Sequence, residues 1–255
     1  MRQFVLPDGL TGQDEIRLTG DEWRYLIKVL RLKTEAEIPA VDRAGRRYML
    51  TIIEEGEDYL RAGCRALTDE APVGPDLILI QCLPKGKKLE MIVRQAVEAG
   101  VSMIIPVESE NTVPVIKEER SDRKQLRLQK IAAEAAQQSG NRGIPDILPP
   151  CLIRDLPSIL EQREIRGMKL FFHQDRLAKG SLHRYLNDCP ASVSVLIGPE
   201  GGISPAETDF LLASGFYPVY LGQNVLRTET AAIYALGAVK TILLEKDEWI
   251  IDIPK

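Results

Sequence analysis

Two glycine-bearing segments toward the C-terminal end hold the residues best suited to chemistry. The first, Ile197-Gly-Pro-Glu-Gly-Gly-Ile-Ser-Pro-Ala-Glu207, follows an apolar run and opens a helix. Gly198, Gly201 and Gly202 free the backbone to take unusual dihedrals and to approach a ligand closely, so that main-chain amides and carbonyls become the recognition groups. The second, Leu221-Gly-Gln-Asn-Val-Leu-Arg-Thr-Glu-Thr-Ala-Ala232, repeats the order of strand, glycine, loop and helix. Neither segment contains lysine, and no G-x-x-x-x-G-K-S/T pattern occurs, which argues against a nucleoside triphosphate. Either loop alone is as compatible with a ligand-free turn as with a binding site. Two of them at the ends of successive strands are expected to lie side by side and bracket one cofactor.

Such loops need a scaffold, and the pattern supplies one. Ser204 reads as an N-cap, Pro205 as the first helical residue and Glu207 as the partner that completes a capping box, which fixes the start of the helix. From residue 77 onward strands alternate with helices: strands at 77–83, 102–107, 168–173, 193–197 and 217–221, helices at 87–99, 121–138, 204–214 and 228–244. Leu77 to Leu83 and Val193 to Ile197 are apolar on both faces, as strands of a parallel sheet covered by helices must be. This is an α/β domain, and open sheets of that class bind ligands at the C-terminal ends of their strands. The first seventy residues differ. They read as short strands at 15–18, 36–41, 46–53 and 59–67 with one helix at 21–32, a small β-barrel or curled sheet. Asp-Arg-Ala-Gly at 42–45 is a hairpin signal, and the Pro- and Gly-rich stretch Glu70 to Asp76 marks the boundary. The expected domains are 1–70 and 75–255.

The chain of 255 residues has ample core and no apolar run near the roughly 20 residues needed to cross a bilayer. Met1 leads into no basic and then apolar stretch, so a cytoplasmic location follows by default. Cys64, Cys82, Cys151 and Cys189 are far apart and the only histidines are His173 and His183, so no metal is expected. The net charge of −4 argues against a broadly basic nucleic-acid surface, but it hides an asymmetry. Residues 85–142 carry eleven basic against eight acidic side chains, and residues 143–255 eleven against fourteen. Arg120, Arg123, Lys124 and Arg127 alternate with apolar residues and read as the solvated face of a helix.

Spaced as they are, the two glycine segments resemble the cofactor loops of SPOUT-type methyltransferases. The chain from near residue 1 to near residue 245 resembles the RsmE family, which methylates N3 of a uridine in 16S ribosomal RNA. Ile197-Gly-Pro-Glu-Gly-Gly202 and Leu226-Arg-Thr-Glu-Thr-Ala231 carry the likeness most specifically. Val29-Leu-Arg31, Lys85-Gly-Lys-Lys-Leu-Glu90, Glu98-Ala-Gly-Val101 and Glu134-Ala-Ala-Gln-Gln-Ser-Gly140 with Pro145 support it.

The resemblance implies a PUA-like N-terminal domain for RNA, a C-terminal domain with a trefoil knot, and a homodimer with the active site near the subunit interface. Periodicity carries no sign of a knot, and open sheets are ordinarily unknotted. The resemblance further implies S-adenosylmethionine as cofactor, held by Leu196, Ile197, Gly198, Glu200, Gly201 and Gly202 from the first segment. Leu221, Gly222, Leu226, Thr228, Thr230 and Ala231 serve from the second. The partner is 16S ribosomal RNA within the small subunit, with phosphate contacts from Lys28, Arg31, Lys85, Lys88 and Arg142. Arg43, Arg46, Arg47 and Lys87 are further candidates, although for each a solvated surface charge is the plainer reading.

Methyl transfer to uridine N3 asks for few protein groups. The imide must lose its proton, and a cation beside the base favours the deprotonated ring; Arg227 is the candidate. Glu229 and Glu200 are candidate proton acceptors, with solvent as the alternative. Glu229 equally suits a first-turn carboxylate that complements the helix dipole, and Thr228 and Thr230 suit either capping or cofactor contact.

Asn111, Asn141 and Asn224 stand where members of that family usually carry arginine, and Gln95 where they carry lysine. Asparagine cannot pair bidentately with phosphate as arginine does, so a different RNA or base as target is one alternative. A non-catalytic RNA-binding protein is another.

Overall fold

The computed structural model describes residues 3–7, 9–10, 13–42, 46–67, 74–112, 118–141, 143–178, 180–188 and 190–246. Arg43 and the rest of the hairpin tip, most of the expected boundary stretch, Arg142 and Cys189 lie outside them, as does the side chain of Arg120. Contacts divide the chain into Met1–Ala71 with Ala136–Ile144, and Pro72–Ala135 with Pro145–Lys255.

The first unit is a five-stranded sheet. Its elements are β1 (Phe4–Val5), β2 (Glu15–Thr19), a short helix α1 (Gly20–Trp23) that runs on as a π-helical turn (Arg24–Val29), β3 (Glu37–Val41), β4 (Arg47–Glu55) and β5 (Tyr59–Ala66). The strand order is β1-β3-β4-β5-β2, antiparallel except for the β1–β3 pair. Alternation decides the faces: Ile16 and Leu18, Leu50 and Ile52, and Leu60 and Ala62 point to one core, joined there by Trp23, Leu26 and Ile27. The register slips between Ile52 and Glu54, a bulge that increases local twist. β3 and β4 form the expected hairpin, closed by Asp42 N–H donating to Arg46 O at 3.0 Å and Arg46 N–H donating to Asp42 Oδ1 at 2.9 Å. The helix stops earlier than its apolar spacing suggests, because Arg31 takes a left-handed φ of 55° that no helix continues through. The sequence pattern missed β1, whose two residues are too few to show a period.

The second unit contains β6 (Asp76–Cys82), α2 (Lys88–Glu98), β7 (Met103–Glu108), α3 (Glu118–Ser139, counted with the first unit from Ala136 on), β8 (Asp146–Ile147), β9 (Cys151–Leu152), α4 (Leu156–Gln162), β10 (Met168–His173), α5 (Leu182–Tyr185), β11 (Ser192–Ile197), α6 (Pro205–Ala213), β12 (Tyr217–Tyr220) and α7 (Thr228–Lys246). Its sheet is parallel throughout, in the order β12-β10-β11-β6-β7-β8, with β9 also pairing with β7. β11 is buried along its whole length and β6 from Leu77 onward, which is what the double-faced apolar runs require. α7 packs on α2, β6 and β11. No helix among the described residues is long and apolar enough to cross a membrane.

Candidate active site

The register sets four strand ends level. Ile197 pairs with Gln81 of β6 and with Phe172 of β10, and Phe172 pairs with Val219 of β12. At this C-terminal edge lies a cavity of about 680 Å³, within the ordinary range for a small-molecule site. Ile197 to Ile203 form one wall and residues from Leu221 to Ala231 another. The two glycine loops share this cavity, but their strands are not neighbours: β10 runs between β11 and β12. The end of β10 therefore adds Phe172, His173, Gln174 and Asp175 to the lining. Nothing in the periodicity of these residues marks them, because strand order is a property of pairing.

The first glycine loop is held from several sides. Gly202 has φ +74° and its N–H donates to Pro199 O at 2.9 Å, closing a turn that a side chain would strain. Ser204 and Glu207 form the expected capping box, at 3.2 Å and 3.1 Å. The other Glu207 oxygen accepts the Glu110 N–H at 2.7 Å, so the carboxylate also fixes the turn after β7. From that turn Asn111 Nδ2 donates to Gly201 O at 3.2 Å and Gly202 O at 3.1 Å. A Cβ on Gly201 would come within 2.9 Å of Asn111 Cβ, so only glycine fits there without displacement.

Behind the cavity runs a buried relay. Gln81, fully buried at the end of β6, donates through Nε2 to Cys82 O at 2.9 Å and to Thr228 Oγ1 at 3.0 Å. Thr228, the first residue of α7, donates its hydroxyl to Gly198 O at 2.8 Å. Closer to the surface, Lys88 Nζ pairs with Glu200 Oε1 at 2.8 Å and Glu229 Oε2 at 3.2 Å. The Lys85 N–H adds contacts of 3.3 Å to both Glu200 oxygens. Burial works to raise the Glu200 carboxyl, but the hydrogen bonds from Lys88 and backbone amides outweigh it and hold it below the usual carboxylate range. The Glu200 hydrogen bond, offset in part by burial, raises the Lys88 ammonium.

Of the residues expected to bind cofactor, Ile197, Gly198, Glu200, Gly201, Gly202, Leu221, Leu226, Thr228 and Ala231 line the cavity, and so does Arg227. Leu196 is buried within β11; Gly222, Thr230 and Glu229 do not line the cavity. Arg227 is exposed, and among the described residues no carboxylate pairs with its guanidinium. Lys88, expected at phosphate, instead has its charge paired with the two carboxylates considered as proton acceptors. Lys85 remains exposed. In the first unit, Lys28 lies over the Trp23 ring at 5.0 Å, Arg31 is exposed, and Arg46 is paired with Asp42 at 2.7 Å. In the expected solvated helix face, Lys124 is half-buried and Arg127 pairs with Glu90 at 2.8 Å. Asn224 lines the cavity, while Asn141 belongs to the first unit, where its carbonyl accepts from Gln3 Nε2. Gln81 went unnoticed although it is the lone polar residue of Leu-Ile-Leu-Ile-Gln-Cys, a signal that was available.

The lining suits a nucleoside-like ligand bearing positive charge. Phe172, Ile197, Ile203, Leu221 and Leu226 offer apolar contact for a flat ring, and Asp175 and Asp209 offer negative charge to a cation, with Glu200 paired to Lys88 and Arg227 on the same lining. Among the described residues no group of three His, Cys, Asp or Glu is placed to hold a metal ion.

Residues 70–240 match the family model for the RNA methyltransferase domain, and residues 18–62 the model for the RNA methyltransferase PUA domain. The chain is 28% identical over 239 residues to the ribosomal RNA small subunit methyltransferase E of Bacillus subtilis, covering 91% of this chain and 92% of that protein. It is 30% identical to the protein of the same description from Mycobacterium bovis, over 92% of this chain and 88% of the relative. Among solved structures, the ribosomal RNA small subunit methyltransferase E from Neisseria gonorrhoeae bound to S-adenosyl methionine superimposes with a TM-score of 0.79 at 27% identity, covering 95% and 98% of the two chains. A methyltransferase from Legionella pneumophila in complex with the same cofactor gives 0.76 at 25% identity, covering 94% and 96%.

Proposed function

Because the chain belongs to the RNA methyltransferase family, among the ribosomal RNA small subunit methyltransferases E, we propose that it methylates N3 of a uridine in 16S ribosomal RNA with S-adenosylmethionine. The observation that carries this reading is the convergence of both glycine loops and Arg227 on one cavity. Residues 197–203 and 221–231 hold the cofactor, chiefly through backbone groups and apolar side chains. When bound, that cofactor would supply a methyl group from its sulfonium sulfur, which departs as a neutral thioether.

The chain's own part is alignment and charge. The loops fix one reactant, and Arg227 at the cavity steadies the negative charge that develops on the uracil ring as N3 loses its proton. The proton passes to solvent. Glu200 is held ionised below the usual range, which makes it a weak acceptor, and Glu229 is occupied by the same ammonium. Lys28, Arg31, Lys85 and Arg142 contact phosphate. The enzyme works as a cytoplasmic homodimer on the small subunit, and the trefoil knot belongs to the same reading. Ile233 and Tyr234, adjacent and exposed on α7, are apolar surface that such a subunit contact would cover.

The test is transfer of labelled methyl from S-adenosylmethionine to small subunits that lack the modification, followed by mass mapping. 3-Methyluridine at one position is the expected product; label on another base or on no ribosomal RNA overturns the reading.

A further inference from the structure

We infer that Gln81 is a positioning residue, which acts through Thr228 to orient the Gly198 carbonyl and so hold the first glycine loop to the start of α7. Three observations carry this. Gln81 is fully buried near the end of β6, between the apolar run Leu77 to Ile80 and Cys82, where a leucine or methionine would serve packing better. Among the described residues its Oε1 has no hydrogen-bond partner, so the amide is held through its Nε2 side alone. Its Nε2 protons are both committed, to Cys82 O and Thr228 Oγ1.

The relay has only one direction. Turning the amide over would set Oε1 against the Cys82 carbonyl, two acceptors about 2.9 Å apart, so Nε2 must face Cys82. Thr228 Oγ1 then accepts from Gln81 and has its single proton left for Gly198 O, at 2.8 Å. Thr228 adjoins Arg227, and Gly198 opens the cofactor loop, so the relay sets the distance between the cation and the loop. A hydrophobic residue at 81 would free the threonine hydroxyl to rotate and the carbonyl to turn.

The inference concerns the cofactor of the proposed function and rests on that reading for its binding arm. Titration calorimetry with S-adenosylmethionine is run on the full chain and on Gln81→Met, Thr228→Val, Thr228→Ser and the double variant Gln81→Met/Thr228→Val. Amide hydrogen exchange at 198–203 is followed in ligand-free protein. Losing a buried hydrogen bond should weaken binding about tenfold in either single variant and speed loop exchange by a similar factor. Thr228→Ser should restore both, and the double variant should be no weaker than either single, because both changes cut one chain. Losses that add in the double variant, or wild-type affinity and loop protection in Gln81→Met, overturn the inference. Should Gln81→Met fail to fold, the contrast between Thr228→Val and Thr228→Ser decides. Should the unaltered chain take no S-adenosylmethionine, the proposed function fails, and loop exchange alone judges the relay.

Discussion

Lys88 Nζ stands 3.2 Å from Glu229 Oε2, so a residue expected to meet phosphate is the counter-ion of a residue considered as proton acceptor. The same ammonium holds Glu200, and a single side chain on α2 thereby joins the first glycine loop to α7.

This clasp should show in the pH dependence of stability. Glu200 has a lowered folded-state value, so its contribution is present above the ordinary 4.5 and is lost as pH falls through the lowered value. Lys88 has a raised value, so its contribution is present below 10.5 and is lost as pH rises through the raised one. Lys88→Met should flatten both limbs in melting curves recorded from acid to alkaline pH. Limbs as steep as in the unaltered chain would remove the clasp from the account.

Arg227→Ala should reduce methyl transfer by about 100-fold or more, the usual scale for losing a group that meets developing charge. Affinity for S-adenosylmethionine should change by less than about threefold, since loops fixed by their own backbone remain. Turnover rates and calorimetry on the same preparation separate the two, and unchanged turnover would sink the assigned role.

Gly201→Val should abolish tight cofactor binding, because the added carbons meet Asn111 Cβ at under 3 Å and displace the loop. Asn111→Ala should have a milder effect, about tenfold in affinity, through loss of its two bonds to Gly201 and Gly202. If Asn111→Arg bound cofactor more weakly still, the asparagine would be holding the loop rather than replacing a phosphate contact.

Burial pushes the thiols of Cys82 and Cys151 up, to about 12 and about 11. Neither should react with a thiol reagent at pH 8 in the folded protein, and both should react on unfolding. Mass analysis of labelled peptides checks this; prompt labelling of Cys82 would show that the β6 end opens.

The sequence made the helix starts and central strands legible because each rests on local chemistry. Ser204, Pro205 and Glu207 announce α6 whatever lies elsewhere, and Val193, Val195, Leu196 and Ile197 put apolar side chains on both faces of β11. The elements that escaped notice, β1, β8, β9, α4 and α5, have two to seven residues, too few for a period to emerge. At the site, the glycines were legible as backbone freedom. His173 and Gln174 were hidden by strand order, and Lys88 by its partners, since its type and exposed setting suit a phosphate contact as well as a clasp.

The level strand ends have a consequence for how the protein comes into being. The cavity's walls come from residues 172–177, 197–209 and 221–231, they are braced by Gln81 and Asn111, and the pair β6–β11 joins residues more than one hundred positions apart. Pairing at such separation is slow, because loop closure must precede any gain from contact. During synthesis the pocket is therefore absent until α7 has emerged, and a chain cut before Arg227 has neither the relay nor the guanidinium. A ligand that binds only the finished cavity stabilises only complete chains, in proportion to its concentration over Kd. Cofactor supply would thus act as a selective stabiliser of full-length protein over its truncated products.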